Sequence, residues 1–158
     1  MFTATDIIDI AVKIEKNGEQ VYRTAASQVV DTDLAEFLKW AADQEASHAE
    51  FFLNMNPDKL VPVRMSKLEQ IGRALIEDAI GEHSFSLDAE DLSDTDCLSR
   101  LLLKSIQLEE DTLIFYELLG NMIEGDPASR QLEIIMREEK NHILKLKEFT
   151  LSKQVEFS

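Results

Sequence analysis

Thiols, basic residues and long apolar runs are all scarce in this chain, and each shortage closes off a class of function. A single cysteine, Cys97, occurs among 158 residues. One thiol excludes a disulfide framework and any site built from paired CxxC motifs, and it suits a reducing cytoplasm, the expected location. Cys97 lies near the start of the third long helical pattern and reads as packing rather than as a nucleophile. Lys and Arg number 16 against 31 Asp and Glu, a net charge of −15. Nucleic acid and anionic membranes both need basic patches, so neither is expected as a partner. No apolar stretch approaches the roughly 20 residues of a membrane span. Met1-Phe2-Thr3-Ala4 leads straight into a helical pattern, with no basic and then apolar leader, so no export signal is expected. Ser/His/Asp and Cys/His arrangements, a phosphate loop and a nucleotide fingerprint are all missing from the sequence.

What is present is a doubled pattern. Glu15 stands 30 residues before Glu45, which is followed three positions later by His48; Glu109 stands 30 before Glu139, followed three later by His142. Each leading Glu is followed seven positions later by a tyrosine, Tyr22 or Tyr116, so the second copy repeats the first at an offset of 94. Glu, Glu-x-x-His, Glu, Glu-x-x-His is the donor set that builds a di-iron or di-manganese carboxylate centre inside a four-helix bundle. Coincidence in a Glu-rich chain is a poor account of so many matched spacings.

The spacing of 30 has a geometric meaning. In an antiparallel helical hairpin, residues equidistant from the turn sit at one height. The midpoints fall at residues 30 and 124, where Val30-Asp31-Thr32-Asp33 and Glu124-Gly125-Asp126-Pro127 carry turn and cap chemistry. Thr32 or Asp33 is the expected N-cap of the second helix, with Glu36 as its capping-box partner. At the other turn Gly125 is expected to end one helix, Asp126 to cap the next and Pro127 to open it. Each Glu pair then lies level, about 20 Å from its turn at 1.5 Å per residue.

Apolar stripes run through these residues with steps of three and four, as in Leu34, Leu38, Ala41, Glu45, His48 and Phe52. A lone carboxylate on such a stripe is costly unless paired or coordinating. Core helices are expected at about 5–30, 33–55, 96–123 and 127–150, in one all-α domain spanning 1–158. The crossover, 56–95, should contain a short helix from the Ser66-Lys67-Leu68-Glu69 box through about Ile80, ended by Gly81. Its Leu68, Ile71, Leu75 and Ala79 would cover the bundle flank, letting the second and third core helices run parallel. His83 has no Glu partner and is not expected to touch metal. The third core helix is apolar almost all round, and Phe37, Trp40 and Phe51 form a second stripe on the second, so a homodimer is expected.

At these residues the chain resembles the rubrerythrin branch of the ferritin-like superfamily. The matching stretches are IEKNGEQVY (14–22), ADQEASHAEFF (42–52), IQLEEDTLIFY (106–116) and REEKNHI (137–143), covering the four core helices, about two-thirds of the chain. The resemblance implies a ferritin-like di-iron bundle of two antiparallel hairpins, with Glu15, Glu45, His48, Glu109, Glu139 and His142 as ligands. The chain departs from the family at two points. It lacks the rubredoxin-like iron site, hence the built-in electron relay, and it has Thr112 where rubrerythrins carry an extra Glu. The expected cofactor is two iron ions, manganese being the other metal this donor set suits. The leading functional reading is an oxidoreductase reducing peroxide or dioxygen with electrons from an external donor. A ferroxidase or iron-handling protein, and a bundle whose metal is only structural, stand as alternatives. Glu45 and Glu139 are the expected bridging residues. Tyr22 and Tyr116 are either core aromatics or hydroxyl donors to a ligand of the neighbouring hairpin.

Overall fold

The computed structural model describes residues 3–61, 65–80 and 94–156. It contains helices α1 (Ala4–Gln28), α2 (Thr32–Leu53), α3 (Met65–Ile80), α4 (Thr95–Gly120) and α5 (Ala128–Glu156), with a 3₁₀ turn at Pro57–Lys59. Helix α1 packs against α2 and α4 against α5, giving two antiparallel hairpins, while α3 lies on the flank formed by α1 and α4. This is a ferritin-like four-helix bundle with a helix-containing crossover, as expected. The α3 contact is a close one, since a Cβ on Gly72 would sit 3.0 Å from the Phe115 ring and 3.1 Å from Ile10.

Local chemistry sets the helix ends. Thr3 and Asp6 form a capping box at the start of α1, with Asp6 N–H donating to Thr3 Oγ1 (3.2 Å) and Thr3 N–H to Asp6 Oδ2 (2.7 Å). The cap of α2 differs from expectation. It is Asp31, not Thr32 or Asp33 with Glu36, because the Asp31 carboxylate reaches two free N–H groups at once, those of Asp33 (2.9 Å) and Leu34 (3.1 Å). Asp94 caps α4 in the same way, accepting from Asp96 and Cys97.

The second hairpin turn also departs from expectation. Helix α4 stops at Gly120 rather than near 123, and Gly125, with φ of 87°, lies in the connection instead of ending the helix. The crossover is the cause. Val61 N–H donates to Met122 O (2.7 Å) and Glu124 N–H to Lys59 O (2.8 Å), bridging Leu60 to Ile123 and drawing this backbone out of the helix. The Asp126–Pro127 peptide is cis, and α5 begins at Ala128.

Two apolar clusters fill the bundle ends. One joins the start of α1, the ends of α2 and α4 and the start of α5, through Ile7, Phe52, Leu119 and Leu132. The other joins the opposite ends, through Ala25, Leu38, Leu102 and Leu146. Helices α2 and α4 therefore run parallel, and the layer between the clusters holds the polar side chains. Leu68 and Leu75 of α3 are buried against the flank, as expected. Helix α4 is covered less completely than its composition suggests: Leu103 and Ile114 are about half exposed. Gly81 and His83 lie outside the described residues, as does the Ala79 side chain. Among the described residues no helix is long and apolar enough to cross a membrane.

Candidate metal centre

Each bundle helix brings one glutamate to the same layer, and α2 and α5 add a histidine one turn further on. Glu15, Glu45, His48, Glu109, Glu139 and His142 are all buried, none more than 7% exposed. Their donor atoms form two overlapping groups, Glu15-Glu45-His48-Glu139 and Glu45-Glu109-Glu139-His142, each with atoms within 4.8 Å of one another. Glu45 and Glu139 belong to both. These are the two residues expected from the sequence to bridge.

The imidazoles enter in the same sense. His48 Nδ1 lies 2.9 Å from Glu139 Oε1 and 3.4 Å from Glu15 Oε2. His142 Nδ1 lies 3.1 Å from Glu45 Oε1, 3.2 Å from Glu139 Oε2 and 3.7 Å from Glu109 Oε1. Each outer nitrogen is held from behind: His48 Nε2–H donates to Glu138 Oε2 (3.0 Å) and His142 Nε2–H to Gln44 Oε1 (2.6 Å). That arrangement aims both Nδ1 atoms at the centre.

The donor set fits a pair of dications. Glu15 Oε2, Glu45 Oε1, Glu139 Oε2 and His142 Nδ1 are buried without a hydrogen-bond partner, and all four face the shared layer. Buried polar atoms are rarely left so, and four converging ones need cations or protons between them. Without metal, protons take that place. Burial and the neighbouring carboxylates hold Glu45 and Glu139 well above the usual carboxylate range. Burial pushes the same way on Glu15 and Glu109, but the close approach of the adjoining protonated glutamate and imidazole outweighs it and lowers both. Burial disfavours charge on the imidazoles, yet the facing carboxylates of Glu139 and Glu15 raise His48 to about 11, and those of Glu109 and Glu139 raise His142 to about 9.

The tyrosines cross between hairpins. Tyr22 on α1 donates to Glu109 Oε1 on α4 at 2.6 Å, and Tyr116 on α4 donates to Glu15 Oε1 on α1. Burial, with the accepting carboxylate next, pushes both phenols well above their ordinary value. Thr112 spends its hydroxyl on the Leu108 carbonyl of its own helix (2.7 Å). It lines a cleft of about 40 Å³, with Gly18, Ser105 and Leu75, that reaches Glu45 and Glu109. Gly18 leaves room for Glu45, whose Oε2 would lie 2.6 Å from a Cβ there.

The sequence reading passed over Gln44 and Glu138, although each immediately precedes a central Glu and the two are related by the same offset of 94. Phe37 and Trp40, from the second stripe of α2, meet the His142 ring edge-on, at 6.5 and 5.5 Å between centroids.

Comparison with known proteins agrees with this architecture. No curated protein matches the sequence. A solved structure from Thermotoga maritima, described as a ferritin-like diiron-carboxylate protein, has the same fold, with a TM-score of 0.64, 24% identity and 94% of each chain covered. The rubrerythrin family model matches residues 6–150. Although its one cysteine cannot build a rubredoxin-like iron site, the chain belongs to the rubrerythrin family.

Proposed function

We propose that this protein is a di-iron carboxylate oxidoreductase that reduces peroxide or dioxygen with electrons from an external donor. Glu15, Glu45, His48, Glu109, Glu139 and His142 would hold two iron ions, with Glu45 and Glu139 shared between them. The observation that carries the reading is the set of unpartnered donor atoms converging in a buried layer. When bound, two adjacent ferrous ions supply the electron pair that O–O cleavage needs.

The chain's own groups supply position and exclusion. Tyr22 and Tyr116 fix the two unshared glutamates, and Glu138 and Gln44 fix the imidazoles. The two apolar clusters keep bulk water from the layer. The small cleft suits a water-sized molecule such as peroxide better than a bulky organic substrate. Thr112 supplies no carboxylate of the kind rubrerythrins place there, which favours a fixed set of six ligands.

The same opening favours a second reading, in which Fe(II) enters past Glu45 and Glu109 and is itself the substrate. Anaerobic loading with Fe(II), followed by stopped-flow mixing with peroxide or with O₂, separates the two. Catalytic turnover with a reductant at constant bound iron supports the oxidoreductase. Oxidation that consumes iron in proportion to product supports the ferroxidase, and no oxidation by either oxidant would remove both.

A further inference from the structure

The two halves of the centre are related by a repeat but are chemically unequal, and we propose that they take metal in a fixed order. The position beside Glu15 and His48 fills first and holds tightly; that beside Glu109 and His142 fills second and exchanges. The inference rests on reading the six residues as a two-metal site.

Two observations point the same way. Behind His48 stands the carboxylate of Glu138; behind His142, at the position related by 94 residues, stands the neutral amide of Gln44. A carboxylate accepting from Nε2–H pushes electron density toward Nδ1 and places negative charge one ring away from a bound dication. An amide orients the ring equally well but adds no charge. The Glu138 side chain is 30% exposed, so solvent weakens its field without breaking the hydrogen bond. The rings of Tyr22, Phe37 and Trp40 that pack around His142 are uncharged.

The second observation is the cleft. Of the two unshared glutamates it reaches Glu109, in the His142 group, and not Glu15; the Glu45 on its wall is common to both groups. The half with the weaker electrostatic support is also the half with a route outward. Glu138 and Gln44 are thus positioning residues that set the difference between two otherwise similar sites.

Anaerobic titration with Co(II), which does not oxidise under these conditions, tests the order without reference to turnover. Calorimetry and the visible bands should show two steps, the first tighter by about tenfold or more. Glu138→Gln should weaken the first step by about tenfold and bring the two together, whereas Gln44→Glu should tighten the second. Anomalous diffraction from crystals given one equivalent should place cobalt beside His48. Two equal steps in the wild type, or first occupancy beside His142, would overturn the inference while leaving the centre intact. No uptake at all would remove the centre and the inference together.

Discussion

The Tyr22 hydroxyl lies 2.6 Å from Glu109 Oε1, a hydrogen bond that ties the first hairpin to the second through a candidate ligand. Its counterpart, Tyr116 to Glu15, closes the same link from the other side. Removing either hydroxyl keeps the ring packing but frees a buried carboxylate oxygen. Tyr22→Phe and Tyr116→Phe should each weaken metal affinity by about tenfold or more and lower stability by about 1–3 kcal/mol. Metal titration and thermal melts check both, and unchanged values would reduce the tyrosines to core aromatics.

Much of this layer was legible because helical periodicity and hairpin symmetry act on sequence directly. The level heights of Glu15 with Glu45, and of Glu109 with Glu139, follow from spacing alone. Contacts made between hairpins are of another kind. Nothing local to Val61 or Lys59 announces that their backbone will pair with Met122 and Glu124, so the early end of α4 came only with the fold. Gln44 and Glu138 carried a signal, their shared offset, but glutamine and glutamate beside a ligand look like ordinary helix surface. The Asp31 cap was obscured by the two residues after it, Thr32 and Asp33, both able to serve.

That cap gives a second test. Asp31→Ala should cost about 1 kcal/mol, because two N–H groups lose their acceptor. Thr32→Ala and Asp33→Ala should cost clearly less in the same denaturant melts. Equal losses at all three would return the cap to a shared role.

Gly18 tests the crowding at the centre. A methyl group there would sit 2.6 Å from Glu45 Oε2, and Glu45 belongs to both donor groups. Gly18→Ala should therefore weaken both metal equivalents, by about tenfold or more, although alanine is the better helix former. Wild-type affinity in calorimetry would mean that Glu45 moves aside freely.

Proton linkage predicts opposite pH trends with and without metal. Glu45, Glu139, His48 and His142 hold protons more tightly folded than unfolded. Their contribution is complete below the ordinary values of 4.5 and 6.5 and is lost as pH rises, through about 9 for His142 and about 11 for His48. Glu15 and Glu109 act oppositely, losing their contribution as pH falls below 4.5. The centre's contribution to the metal-free protein should be greatest near pH 4.5 and fall above it, more steeply beyond 6.5, by about 1.4 kcal/mol per pH unit for each proton difference. Metal displaces those protons, so its stabilisation should grow with pH. Melts at about pH 5, 7 and 8.5 check this, and a metal-free form that gains stability toward the alkaline end would contradict it.

The most direct test of the two-metal centre is elemental analysis of protein loaded anaerobically with Fe(II) and desalted, beside the Glu139→Ala variant. Glu139 belongs to both donor groups, so the wild type should retain close to two iron equivalents per chain and the variant far less than one. No retained iron in the wild type, or two equivalents in the variant, would contradict the account.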